Sequence, residues 1–262
     1  MMLENKVSII TGGTAGIGEA CTRTFLERGS KVVFTSYAGD EGEQLEKELL
    51  ESGFDCMFIK CDVSNEEEVK NVIHSTIQKY GRIDVLLNNA GTHISKMIDE
   101  YTNDDFDRLF NTNVKGIFWH IKHAAPYLKD TKGAIVNIAS ATGKVGQYAG
   151  ALYSSTKGAV MSLTKSVALD YARCPIRVNA ILPGFVDTPL LNKWINEQAD
   201  PEGTRNNVAK NQAIGRLTSP EEIAKVAAFL ASSDASTITG AMIDADGGAT
   251  LDYSPAVIDF NE

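Results

Sequence analysis

The sequence predicts a doubly wound α/β fold, a parallel sheet covered by helices on both faces. Two observations carry that prediction. Apolar runs of strand length recur through the 262 residues, and a stretch with helical period follows nearly every one. Several runs are continuously apolar rather than alternating, Val85-Leu86-Leu87 and Ile135-Val136 most plainly, as strands buried on both faces require. Strand and helix patterns alternate to the end of the chain, so we expect one domain over 1–262.

The elements follow in order. Residues 6–11 form the first strand. A helix over 16–28 places Ile17, Ala20, Cys21, Thr24 and Phe25 on one stripe. Strands are expected at 31–36 and 56–61. Ser64-Asn65-Glu66-Glu67 has capping-box spacing, with Ser64 as cap, before the stripe Val69, Val72, Ile73, Ile77. Further strands are read at 83–88, 134–139, 177–182 and 241–245. The helix through Tyr153 continues as Ala159, Val160, Leu163 and Val167. Ser219-Pro220-Glu221-Glu222 is a strong helix start, with a Ser cap, Pro in the first turn and Glu three residues after the cap.

The one long connection runs from Gly184 to Gly215 and is expected to be a helical substrate lid at about 185–215. Asp187-Thr188-Pro189 offers a helix start, and Pro201-Glu202-Gly203 a break between two short helices. Leu190, Leu191, Trp194 and Ile195 would turn towards a cleft. A tail of about 248–262 completes the chain.

Composition excludes several classes. The net charge is −9, and no basic cluster appears, so neither nucleic acid nor an anionic membrane is an expected partner. No apolar run approaches a membrane span, and no signal peptide is read at the N-terminus. The four cysteines are scattered without a CxxC pair, which suits reduced thiols in a cytoplasmic protein. His120 and His123 lack a third ligand at metal spacing, so no metal is expected. Ala139-Ser140-Ala141 is not a nucleophile elbow, which argues against a hydrolase.

The motifs that carry chemistry lie at strand ends. Thr11-Gly12-Gly13-Thr14-Ala15-Gly16-Ile17-Gly18 runs from a buried strand through a glycine turn into a helix. Such a turn lets a pyrophosphate approach the free N–H groups of a helix N-terminus. At the end of the second strand, where an acid would hold a ribose 2′-hydroxyl, stands Ser36. That removes a repulsion against a 2′-phosphate. No Arg or Lys sits at Thr14-Ala15 or Tyr37-Ala38 to neutralise one, so the choice between NAD and NADP stays open. Tyr153 and Lys157 are four apart, one turn on the same helix face, where an ammonium lowers a phenol's pKa towards use as an acid or base. Ser140, Asn88-Asn89-Ala90-Gly91 and Pro183-Gly184 end three other strands, the rim where open parallel sheets bind ligands.

Together these motifs resemble the short-chain dehydrogenase/reductases, over about residues 5–250 and in the same order. The resemblance implies a Rossmann-type sheet, an NAD- or NADP-dependent oxidoreductase and a homotetramer. It implies Tyr153 as acid/base, Lys157 as the residue that tunes it and holds the nicotinamide ribose, Ser140 as donor to the substrate oxygen, and Asn113 as holder of a relay water. It implies a cofactor site of Gly12, Thr14, Gly16, Ile17, Gly18 and Ser36, continued by Asp62 and Val63 at the adenine. Asn89, Ala90, Gly91, Pro183, Gly184 and Val186 follow, with Thr188 at the carboxamide. Ser140, Tyr153, Leu190, Leu191 and Trp194 would line the substrate. The apolar stripe suggests a bulky secondary alcohol or ketone such as a hydroxysteroid or bile acid; a sugar or polyol, or a 3-oxoacyl thioester, is the alternative. The rival from another class is a dinucleotide sensor without activity. His93 follows the Asn-Asn-Ala-Gly turn, where it could line the substrate cleft, but a plain loop residue is the preferred reading.

Overall fold

In a computed structural model that describes residues 2–251, seven strands form one parallel sheet in the order β3-β2-β1-β4-β5-β6-β7. The first half of the chain holds β1 (Val7–Thr11), α1 (Gly16–Glu27), β2 (Lys31–Ser36), α2 (Gly39–Glu51), β3 (Cys56–Lys60), α3 (Glu66–Tyr80) and β4 (Val85–Asn88). Then come α4 (Asn103–Phe110), α5 (Gly116–Thr131), β5 (Ala134–Ile138), α6 (Ala151–Asp170) and β6 (Arg177–Pro183). The last part holds α7 (Pro189–Asn196), α8 (Pro201–Lys210), α9 (Pro220–Ala231) and β7 (Met242–Ala245). The predicted tail falls outside the described residues beyond Leu251.

The continuously apolar strands are buried along their whole length, β1, β4 and β5 without exception. Each sheet face has its own core. On one, Phe25 and Leu26 of α1, Leu45 and Leu49 of α2, and Ile223 and Leu230 of α9 pack on Ile10, Phe34 and Leu87. On the other, Val69 and Val72 of α3, Ile117, Ile121 and Leu128 of α5, and Val160 and Val167 of α6 pack on Ile9, Leu86 and Ile135. The strand order reverses direction between β1 and β4, which opens a crevice at their carboxyl ends.

Three local readings are corrected. The cap of α3 is Asn65, whose side chain accepts from the Glu67 amide, because the Ser64 hydroxyl and amide both donate to the Asp62 carboxylate at 2.8 and 2.9 Å. On α1 the fully buried threonine is Thr22, not Thr24; its hydroxyl donates to the Gly13 and Gly18 carbonyls. Pro201 and Gly203 are not the break between two helices but the first turn of α8, capped by Asp200. The starts expected at Thr188 and Ser219 hold, and Ser219 with Glu222 closes a reciprocal capping box.

Candidate active site

The glycine turn is closed by contacts that leave no room for side chains. Gly12 and Gly16 have φ of +63° and +54°, the left-handed region that glycine enters at no steric cost. A Cβ on Gly18 would land on the Gly12 carbonyl oxygen and lie 2.5 Å from Asn89 Nδ2. The Thr11 hydroxyl accepts from the Asn89 and Ala90 amides at 2.9 and 3.0 Å. Asn89 Nδ2 returns bonds to the Thr11 and Gly12 carbonyls, so the ends of β1 and β4 are clamped across the crevice. Ala15 caps α1 without a side-chain bond, which leaves its first-turn amides open to an anion. Bare glycines over an uncapped helix start fit a pyrophosphate.

The rest of the expected cofactor set lies along this rim. Ser36 is buried at the end of β2, and its hydroxyl accepts from the Ala38 amide at 3.2 Å. Val63 is buried against Gly116, while Asp62 is exposed and bonded to Ser64. Thr188 reaches the turn from the far side, with Cγ2 3.1 Å from where a Gly16 Cβ would be. Gly184 lies under the Asp246 carbonyl and Gln212, and buried Val186 bridges to Thr218. Thr14 and Ile17 sit in the turn and the first turn of α1, half-buried.

Ser140 ends β5 and caps a short 3₁₀ turn, Ala141–Gly143, its oxygen accepting from the Thr142 amide. Gly143 packs on the α6 backbone at Lys157 and Gly158, which seats Ser140 against Tyr153 in the first turn of α6. Burial pushes the Tyr153 phenol up to about 12, with the hydrogen bond to Ser140 pulling the other way. The Lys157 ammonium lies 5.6 Å from the Tyr153 ring centre and donates to the Ile138 carbonyl at 2.9 Å. Burial lowers Lys157 itself to about 8.

Asn113 sits in a five-residue π-helical segment, Asn111–Lys115, between α4 and α5, a local widening frequent at functional sites. Its side chain is fully buried and makes three hydrogen bonds. Oδ1 accepts from the Thr92 amide at 2.8 Å, and Nδ2 donates to the Thr92 carbonyl and the Thr156 hydroxyl. Asn113 therefore clamps the strand end that carries Gly91, whose bare face looks at Asn113 Oδ1 and Lys157 Nζ. Both Nδ2 donors are spent inside the protein, and Oδ1 keeps one lone pair for a further donor such as a water.

Of the four apolar residues expected at the cleft, Ile195 is buried, Leu191 and Trp194 are half-buried and Leu190 is half exposed, so they share no single environment. His120 is fully buried, bonded through Nδ1 to the Gly116 carbonyl, and His123 pairs with Glu66. His93, read from sequence as a loop residue in preference to a cleft-lining one, brings its ring edge-on to the Tyr153 ring with centres 4.6 Å apart. Its only sequence signal is its place directly after the Asn-Asn-Ala-Gly-Thr strand end.

A glycine turn at a helix start, a Ser–Tyr pair and a buried Lys on one rim can bind a dinucleotide and move a proton at an adjacent oxygen. A family model described as Enoyl-(Acyl carrier protein) reductase matches residues 12–250. Meso-2,3-butanediol dehydrogenase of Serratia marcescens is 39% identical over 259 residues, 98% of this chain and 100% of the relative. The chain belongs to the short-chain dehydrogenase/reductase family. As a member it is an NAD- or NADP-dependent oxidoreductase acting on CH–OH groups. The 3-oxoacyl-[acyl-carrier-protein] reductase FabG of Thermotoga maritima is 37% identical over 254 residues, 96% of this chain and 100% of the relative. The ligand-free aldohexose dehydrogenase of Thermoplasma acidophilum superposes with a TM-score of 0.88 at 35% identity, over 99% of this chain and 98% of that one. Among the described residues no helix is long and apolar enough to cross a membrane.

Proposed function

We propose that this protein interconverts a secondary alcohol and a ketone on a small polyol or sugar, with Tyr153 as the proton donor and acceptor. The observation that carries this reading is the grouping of Ser140, Tyr153 and buried Lys157 at the rim beside the glycine turn, with the Lys157 ammonium 5.6 Å from the Tyr153 ring centre. The dinucleotide, when bound, supplies the hydride chemistry. Tyr153 keeps its proton at neutral pH because burial disfavours the phenolate, so it is a ready donor to a carbonyl oxygen. Ser140 holds that oxygen beside Tyr153. Lys157, buried at the foot of the pair, holds the ribose, and the proton passes from Tyr153 in reduction and back to it in oxidation. Gly12, Gly16 and Gly18 cradle the pyrophosphate, Ser36 faces the adenosine ribose, and the α7–α8 segment covers the cleft.

The relatives named for a diol and an aldohexose favour a polyol or sugar over a thioester. The apolar bulky alcohol read from Leu190, Leu191 and Trp194, a hydroxysteroid or bile acid, has no such support. Exposed Phe106, Phe118 and Leu169, with an apolar hollow between Phe110, Val114, Phe118 and Leu163, support assembly with further copies, which we read as a homotetramer. Four free cysteines suit a cytoplasmic setting.

Dinucleotide reduction across a panel of diols, sugars and simple secondary alcohols tests the reading. Turnover is expected on polyols, and Tyr153→Phe should lower kcat by roughly 10²–10⁴ while dinucleotide binding persists. Near-normal turnover in that variant would sink the assignment of Tyr153. A protein that binds dinucleotide but turns over no alcohol or ketone is a sensor.

A further inference from the structure

We infer that His93 is a specificity-determining residue of this site, binding the oxygen on the carbon next to the reacting one, so that the preferred substrates are vicinal diols and α-hydroxy ketones. The inference rests on the polyol reading above and deepens it.

The imidazole meets the Tyr153 ring edge-on at 4.6 Å between centres, so it borders the place where Tyr153 holds the reacting oxygen. Neither of its nitrogens has a hydrogen-bond partner among the described residues, although burial covers much of the ring. A half-buried imidazole left without partners beside a reacting group is a site for a ligand's polar atom, because burying it unpaired under a substrate costs free energy. Burial also holds its pKa below the usual histidine range against the opposing charge of Glu197, the C-cap of α7. At neutral pH the ring is therefore uncharged, with one N–H donor and one acceptor nitrogen, a match to a hydroxyl, which both donates and accepts.

The backbone that carries the ring is also anchored on both sides. Asn113 holds the amide and carbonyl of Thr92 directly before it. On the other side the Ile94 carbonyl accepts from Tyr101, and Ser95 and Lys96 both bond the Ala149 carbonyl. A plain loop residue has no need of anchors on both sides, whereas a group that reads one oxygen's position does.

The test compares kcat/KM for 2,3-butanediol with that for 2-butanol, which lacks the second hydroxyl, in wild type, His93→Phe and His93→Gln. Dinucleotide binding by each purified variant confirms an intact fold. Wild type should prefer the diol, His93→Phe should lower the diol-to-monool ratio roughly tenfold, and His93→Gln, which keeps a donor and an acceptor, should fall between. A ratio within twofold of wild type in His93→Phe overturns the inference, as does a wild type that turns over both alcohols without preference. A wild type inactive on every alcohol overturns the polyol reading itself, before any variant is made.

Discussion

Gly18→Ala and Gly158→Ala put the same methyl group at two helical glycines with opposite surroundings. At Gly18 the new carbon lands on the Gly12 carbonyl oxygen and 2.5 Å from Asn89 Nδ2. Relief requires that carbonyl to withdraw on the order of 1 Å, since non-bonded atoms settle well beyond 3 Å. The two Asn89 bonds to Thr11 and Gly12, 3.0 Å each, are then lost or stretched, at about 1 kcal/mol apiece. Overpacking adds roughly 1–3 kcal/mol, and the better helix propensity of Ala returns about 1. The net fall is about 2–4 kcal/mol, a drop of on the order of 5–10 °C in Tm for a chain of this size. At Gly158 the methyl group meets only the Gly143 carbonyl at 3.6 Å, ordinary contact, so Ala should stabilise α6 by roughly 0.5–1 kcal/mol. Urea titrations followed by circular dichroism measure both changes, and calorimetric titration with dinucleotide measures the site. Gly18→Ala should weaken dinucleotide binding at least about tenfold because the first-turn amides of α1 move with the turn. Stability within about 0.5 kcal/mol of wild type, with binding unchanged, would refute the closed-turn argument.

Ser36→Asp should shift the kcat/KM ratio towards NAD, since it adds a ribose acceptor and repels a 2′-phosphate; an unchanged ratio places Ser36 away from the ribose. Lys157 titrates near 8 in the folded chain against 10.5 unfolded, so the unfolded state holds that proton more tightly between those values and stability rises with pH through the window. Tyr153, raised from 10 to about 12, works in the opposite sense only above pH 10. From pH 7 to 10 the stability of wild type relative to Lys157→Met should therefore grow by on the order of 2 kcal/mol in denaturant titrations, and a flat difference contradicts the buried charge. Hydrogen exchange in α7 and α8 should be fast in the free protein and slow with cofactor plus substrate, and Trp194→Ala should raise KM for large substrates more than for small ones. Slow exchange without ligands, with a uniform Trp194→Ala effect, would mark the segment as fixed scaffold.

The sequence by itself determined the alternation of strands and helices, the burial of β4 and β5, the glycine turn, and the starts of α7 and α9. These depend on residues within one or two turns of each other, where periodicity and capping chemistry speak directly. The rim motifs were legible because each stands at a strand end, and a parallel sheet brings strand ends together. The fold settled which of several partners a polar group takes, and most of those partners are distant in sequence. Asp62 takes the Ser64 hydroxyl and moves the α3 cap to Asn65. The Ile138 carbonyl takes one donor of the Lys157 ammonium, and burial is the largest influence on the Tyr153 phenol. Asn113 closes on Thr92, twenty-one residues back. His93 meets a ring sixty positions away, and its place after a strand end marks the rim but not that partner. Desolvation and competition for hydrogen bonds are set by whatever the fold packs around a group, and a spacing rule reports only which groups are near along the chain.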